Sequence, residues 1–302
     1  MAEYAIETKG LTVYYGRHRG IIDVDLRVAK GEIFGFLGPN GAGKTTTERV
    51  LLDIIRPTAG SARMLGLDCQ KEGVQARAKV GYLPGELSFY DNMKANQFFQ
   101  MYHSLQGDGT DATYWQSLAE RLDLDTSRKI REFSRGNKQK VGIVLAFMNK
   151  PALLILDEPT SGLDPLVQQT VMDMIREARN AGTTVFFSSH NLPEVQAVCD
   201  RVGIIREGRL VATERIEDLM KQQLKRLRLS FSSMPPAAAF GQEGVTEIER
   251  DGQTVLLEVR DNLNAVLETA VTYHVTDIET ESVSLEEVFL AYYGKGNGGN
   301  HA

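Results

Sequence analysis

Cysteine is scarce in this chain of 302 residues: only two occur, Cys69 and Cys199. That excludes a disulfide framework and a thiolate metal cluster, and it suits a reducing compartment such as the cytoplasm. Long apolar runs are missing too. No stretch approaches the roughly 20 apolar residues that cross a bilayer, and the opening MAEYAIETKG lacks the apolar core expected of a signal peptide. Work at a membrane would take its span from another chain. Positive charge is not in excess: 34 Lys and Arg stand against 40 Asp and Glu, a formal net charge of −6, which argues against a surface that coats nucleic acid. The remainder is ordinary for a folded protein, 42% apolar and 25% charged, far from the composition of a disordered chain. At about 150 residues per domain, the length predicts two domains.

Residues 4–30 alternate apolar and polar positions between turn residues, which predicts antiparallel strands forming an edge sheet. Ile33–Leu37, IFGFL, is a short apolar run that ends in glycine-rich turn chemistry. A helix is predicted over 45–55, where Val50, Leu51 and Ile54 keep helical spacing. Residues 87–147 read as an inserted helical subdomain rich in aromatics, as in NQFFQMYHSL. Apolar strands follow at 152–156 and 183–189 with a helix at 166–178 between them, then a short strand at 202–205 and a turn at Glu207 and Gly208. Strands alternating with helices imply a parallel sheet and an α/β fold. Composition shifts near Leu219, so the first domain is set at 1–218 and a small α+β domain at 219–302. There KQQLKRLRL reads as a basic amphipathic stretch, most simply a solvated helix face. Leu227, Leu229 and Phe231 alternate as in a strand, and further strands are expected at 254–259 and 273–278, the latter including His274. Helices are expected at 263–270 and 285–292, followed by a disordered tail, GKGNGGNHA. No internal repeat is present.

Residues 38–46 read GPNGAGKTT, matching G-x-x-x-x-G-K-S/T between a predicted strand and a predicted helix, the context in which this loop cradles phosphates. Glycines let successive backbone N–H groups point inward, and the helix N-terminus adds its positive dipole end. Gly38, Pro39, Asn40, Gly41, Ala42 and Gly43 therefore form the predicted cradle, and Lys44 is expected to reach the β- and γ-phosphates. The Thr45 hydroxyl is placed to hold Mg²⁺, and Thr46 to donate to a phosphate oxygen. The fold class is thus α/β with a P-loop NTPase core. LLILDE, residues 153–158, delivers adjacent carboxylates to a strand's carboxyl end, where ligands sit in open α/β sheets. Asp157 suits a water-mediated Mg²⁺ contact, and Glu158 suits the general base that polarises the attacking water.

A P-loop is shared by kinases, GTPases, helicases and transport ATPases, and fold alone does not choose among them. Three further segments do: SGLD at 161–164, a lone His190 at the end of the following strand, and FSRGNKQK at 133–140. In this order and spacing the chain resembles the nucleotide-binding subunit of an ATP-binding cassette transporter, over roughly residues 4–218. The resemblance implies that Tyr15 stacks on adenine, with Tyr14 its neighbour. It implies that Ser134 and Gly136 belong to the signature motif, which closes over the γ-phosphate bound by a second copy of the subunit. It places Asp164 in the loop at the dimer seam and makes His190 the switch histidine at the γ-phosphate. ATP and Mg²⁺ are the implied cofactors. The implied partners are a second copy and separate transmembrane permease subunits, with the chain peripheral on the inner face of the cell membrane. No nucleic-acid partner is expected. Independently of the family, Ser134 stands ahead of the helical KQKVGIVLAFM, so its hydroxyl and that helix's free N–H groups make a second anion site.

This chain departs from the family at two places. The usual LSGGQ is FSRGN here, with Arg135 in a glycine position and Asn137 in the glutamine position. Variants with SRG or SKG followed by KQK resemble the drug-resistance and ABC-2 exporter branch, as does the closing SLEEVFLAYYG. Arg135 either supports the γ-phosphate or turns outward. The family's Q-loop glutamine falls at Gly85, with Glu86 next, which predicts altered magnesium ligation and slower hydrolysis than a glutamine would give. The leading expectation is an ATPase that powers an exporter through closure of a head-to-tail dimer. The C-terminal domain is expected to stabilise that dimer or regulate its closure. The alternatives are a soluble cassette ATPase acting on nucleic acid or ribosomes, a P-loop kinase, and a nucleotide-binding regulator with little turnover.

Overall fold

The computed structural model of the chain describes residues 4–105, 113–221, 225–259 and 262–282. The chain divides into two compact units, Met1–Arg215 and Ile216–Ala302.

The first unit opens with three antiparallel strands, β1 (Tyr4–Tyr15), β2 (His18–Val24) and β3 (Arg27–Ala29). β4 (Ile33–Leu37) feeds the glycine loop and α1 (Lys44–Leu51). β5 (Ala59–Met64), β6 (Leu67–Asp68), α2 (Gly73–Arg77) and β7 (Val80–Leu83) follow. The inserted region holds α3 (Ala95–Leu105), α4 (Tyr114–Arg121), a 3₁₀ turn at Ile130–Glu132 and α5 (Arg135–Phe147). Then come β8 (Leu153–Asp157), α6 (Pro165–Asn180), β9 (Thr184–Ser189), α7 (Leu192–Val198), β10 (Arg201–Arg206) and β11 (Arg209–Arg215). The edge sheet runs β2-β1-β5-β6 with β3 also on β1, and the central sheet runs β11-β10-β4-β9-β8-β7. The pairs β10–β4, β4–β9, β9–β8 and β8–β7 are parallel, and only β11 is antiparallel. Helices cover both faces of such a sheet, so β4, β8 and β9 are buried at every position. That is why they read as unbroken apolar runs rather than alternations. Phe186 packs its ring between Phe34 at 6.1 Å and Phe36 at 5.2 Å, tying β9 to β4 at the centre of the core.

The register decides the site. Leu37 pairs with Ser189 and Asp157 with Ser188. The carboxyl ends of β4, β9 and β8 therefore finish level, and the residues after them share one edge.

Several expectations are corrected. The helix predicted over 45–55 ends at Leu51, because the chain turns through Asp53 at φ 53° and leaves Ile54 58% exposed. β5 carries only two buried residues, Ala62 and Met64, and β7 is shorter than a typical strand, so neither has a strong pattern of its own. The tertiary pairings with β1 and β8 make them strands.

The second unit contains α8 (Ile216–Lys221), β12 (Lys225–Phe231), β13 (Val245–Asp251), β14 (Thr254–Val259), α9 (Leu263–Thr272) and β15 (Val275–Ser282). Its sheet runs β13-β14-β12-β15, and Leu227, Leu229, Phe231, Val255, Leu257, Val266 and Ala270 share its core. The basic stretch is thus not a helix face: its second half is a central strand whose alternate leucines point into that core. His274 lies in the turn between α9 and β15 at φ 57°, not in a strand. The helix expected at 285–292 and the tail lie outside the described residues. Among the described residues, no helix is long and apolar enough to cross a membrane.

Candidate active site

The loop between β4 and α1 holds a backbone only glycine tolerates. Gly43 sits at φ 116°, and a Cβ there would meet the Ile21 side chain at 2.6 Å. Lys44 is 6% exposed, and its Nζ donates to the carbonyls of Gly38 at 2.6 Å and Pro39 at 3.3 Å. The ammonium is therefore folded back over the cradle that it would leave to meet a phosphate. Burial lowers the Lys44 pKa, while Glu158, Asp157 and Glu48 pull it back up.

Asp157 is fixed at both oxygens. Thr45 Oγ1 donates to Oδ2 at 2.9 Å and Ser188 Oγ to Oδ1 at 2.6 Å. Gly85 lies against the same carboxylate, and a Cβ at position 85 would stand 2.9 Å from Asp157 Oδ2. A side chain there must displace a doubly hydrogen-bonded group, which gives the glycine a steric reason. Glu158 is held in the left-handed region at φ 48°, a conformation uncommon for non-glycine residues. Its N–H donates to the Ser188 carbonyl at 3.0 Å, and Gln139 Nε2 donates to its carbonyl at 3.2 Å. The carboxylate Oε1 lies 2.7 Å from His190 Nδ1 and 3.9 Å from Lys44 Nζ. The strained backbone thus aims a carboxylate between a lysine and a histidine, the arrangement a general base needs to be oriented by its neighbours.

A cavity of about 310 Å³ is lined by Tyr15, Lys44, Thr45, Thr46, Gly85, Arg135, Asp157, Glu158 and Ser161, with Pro39, Asn40, Gly41 and Gly43 of the loop. Tyr15 Oη lies 3.3 Å from Thr46 Oγ1. Tyr14 is as exposed as Tyr15, 44% for each residue, but it does not line the cavity. Six sequence candidates do not line it: Gly38 and Ala42 of the loop, His190, which reaches the cavity only through the Glu158 carboxylate, and Ser134, Gly136 and Asp164. Ser134 caps α5, accepting from the Asn137 N–H at 3.2 Å, and Gly136 in the same first turn backs onto the Gly162 carbonyl. Asp164 caps α6, accepting from the N–H groups of Leu166 and Val167 at 3.1 Å each.

Sequence reading missed Glu48. It is fully buried on α1, and neither carboxyl oxygen completes a well-aligned hydrogen bond, although the Ser188 hydroxyl and the Asp157 carboxyl stand beside it. Burial first, and then the Asp157 charge, push its pKa well above the ordinary carboxylate range. Its signal was a carboxylate one turn after Lys44, on the face that Thr47, Val50 and Leu51 bury. Glu194, which accepts from Thr160 at 2.8 Å and from Ser189 at 3.1 Å and so braces both loops behind Glu158 and His190, was missed as well.

Fold and site together define a P-loop nucleotide hydrolase. The ABC transporter family pattern matches residues 21–161. The bacitracin transport ATP-binding protein BcrA of Enterococcus faecalis is 32% identical over 97% of this chain and 98% of its own. The daunorubicin/doxorubicin resistance ATP-binding protein DrrA of Streptomyces peucetius is 32% identical over 96% and 92%. A solved ATP-binding subunit of an ABC transporter superposes with a TM-score of 0.67 at 29% identity, covering 72% of this chain and 92% of that one. The chain belongs to the ATP-binding, ATP-hydrolysing subunits of ABC transporters.

Proposed function

We propose that the chain works as one half of a head-to-tail pair that clasps ATP and Mg²⁺ beneath a separate membrane permease and drives export. The observation that carries this reading is the division of the motifs. Lys44, Thr45, Asp157 and Glu158 line one cavity while Ser134, Gly136 and Asp164 stay outside it, so a second copy is needed to bring the two sets onto one triphosphate. The relatives named for bacitracin transport and daunorubicin resistance support an exporter of the drug-resistance type. Among the described residues no helix is long and apolar enough to cross a membrane, and the relatives named as ATP-binding proteins of transporters support a separate permease.

The residues fit magnesium. Thr45 and Asp157 present hard oxygen atoms side by side, and no group of three or more His, Cys, Asp or Glu among the described residues makes an all-protein cage. Mg²⁺ of this kind shares its ligands with water and phosphate and would neutralise charge on the phosphates during transfer. On binding, Lys44 leaves the Gly38 and Pro39 carbonyls for the β- and γ-phosphates. The loop N–H groups and the start of α1 hold the remaining charge. Tyr15 offers its ring to the adenine. Glu158 takes the proton of the attacking water, steadied by His190.

The test is the Glu158→Gln chain, sized with and without ATP. Accumulation of an ATP-dependent pair together with lost hydrolysis is the expected result. A chain that stays single at every ATP concentration would overturn the reading.

A further inference from the structure

We propose that Arg19 binds a nucleotide phosphate on the adenine side, one that ADP and ATP share, and that Glu207 competes for its guanidinium; the proposal rests on the reading of this cavity as the ATP site. β2 carries Arg19 and Gly20 into the cavity wall. Gly20 fixes which end of the cavity this is, since a Cβ there would stand 3.1 Å from Tyr15 Cε2 and 3.2 Å from Thr46 Cγ2. In the β1–β2 register Arg19 faces Tyr14, one step from Tyr15. With Tyr15 given to adenine and Lys44 to the β- and γ-phosphates, Arg19 meets the phosphates next to the ribose. Its stem runs over the turn between β10 and β11, where a Cβ at Gly208 would stand 3.4 Å from Arg19 Cδ. That turn is tied to both neighbours: the Gly208 N–H donates to the Ala42 carbonyl of the phosphate loop at 2.8 Å, and the Ile22 N–H of β2 donates to the Gly208 carbonyl at 2.7 Å. Strand, turn and phosphate loop therefore form one frame, with Arg19 standing on it between Glu207 and the cavity.

The strengths of the two contacts decide which partner wins. Arg19 Nη1 lies 3.5 Å from Glu207 Oε2, and both side chains are largely exposed. Water and salt screen such a pair, so it contributes little. A phosphate carries more charge than a carboxylate and takes two donors from a planar guanidinium, so it displaces Glu207. Glu207 is not left without a cation, because Arg206 Nε lies 3.9 Å from its Oε1. Its own position is set by the two-residue turn, where Glu207 and Gly208 are both left-handed at φ 50° and 76° and Arg206 pairs with Arg209. The carboxylate is thus presented at a fixed place beside Arg19, as a weak competitor for the phosphate.

The test titrates ADP and AMPPNP, each with Mg²⁺, into the full chain, diluted until light scattering shows it single. Wild type is compared with Arg19→Gln, Arg19→Lys, Glu207→Gln and the double variant Arg19→Gln/Glu207→Gln, with melting temperatures to confirm folding. Arg19→Gln should weaken both nucleotides by the same factor, about threefold to tenfold for a charge-assisted contact open to solvent, and lysine should recover part of the loss. Glu207→Gln should tighten both by about twofold, the worth of an exposed ion pair, and that gain should vanish once Arg19 is glutamine. Three results would each overturn the proposal: unchanged affinities in Arg19→Gln, a loss confined to AMPPNP, or a Glu207→Gln gain that survives in the double variant, which would mean general charge repulsion. Any of them beside normal wild-type binding sinks this proposal alone, whereas a wild type that binds neither nucleotide sinks the ATP-site reading with it.

Discussion

Glu48→Gln should stabilise the nucleotide-free protein, and the gain should grow with pH. In the folded chain the Glu48 carboxyl is fully buried beside Asp157, and burial first, then the Asp157 charge, raise its pKa well above the ordinary 4.5. In the unfolded chain it ionises near that ordinary value. Below it both states hold the proton and Glu48 contributes no pH dependence. As pH rises above it, the unfolded chain releases a proton that the folded chain retains. Unfolding is then favoured by about 1.4 kcal/mol for each pH unit, until pH passes the folded pKa. Glutamine keeps the shape, carries no proton to lose, and removes this slope. At about 2–4 °C per kcal/mol for a domain of this size, the melting temperatures of variant and wild type should diverge by about 3–6 °C for each pH unit above the ordinary value, until pH passes the folded pKa. Calorimetry at half-unit steps without nucleotide makes the measurement, and Glu48→Met serves as an apolar control of similar length. A glutamine variant destabilised equally at every pH would refute the reasoning, since it would mean that Glu48 is ionised and paired with Lys44.

Two further outcomes follow from the site. His190→Ala removes the 2.7 Å partner of the Glu158 carboxylate and should lower kcat by about a hundredfold, within the range for a disturbed general base, while AMPPNP binding persists; a rate within twofold of wild type would dismiss the orienting role. Gly85→Ala forces a methyl to within 2.9 Å of Asp157 Oδ2 and should weaken Mn²⁺ binding in the presence of nucleotide, as read by electron paramagnetic resonance. Unchanged Mn²⁺ affinity would show that the 84–86 loop moves aside freely.

Some of this protein could be read residue by residue. The phosphate loop, Asp157, Glu158 and His190 could be singled out as candidates because each pattern is local: glycines that permit a backbone, a lysine beside them, carboxylates or a histidine at the end of an apolar strand. The buried strands β4, β8 and β9 were legible for the same reason, since burial on both faces leaves a continuous apolar run. β5 and β7 were not, because their strand character comes from hydrogen bonds donated by distant partners. In the basic stretch the alternation of Leu227, Leu229 and Phe231 was legible as a strand, whereas the reading of Lys225 and Arg226 as part of a solvated helix face fails because β14 and β15 pair with them.

Sequence alone thus named the groups proposed to hold a triphosphate and cleave it. Only the tertiary structure decided how they are shared. Strand register made the ends of β4, β9 and β8 level, and close packing enclosed Glu48 beside Asp157. The start of α5 aimed Arg135 into its own chain's cavity while Ser134 stayed outside as a helix cap. Such choices depend on where distant segments exclude water and where a side chain finds room, and neither is encoded in a residue's immediate neighbours.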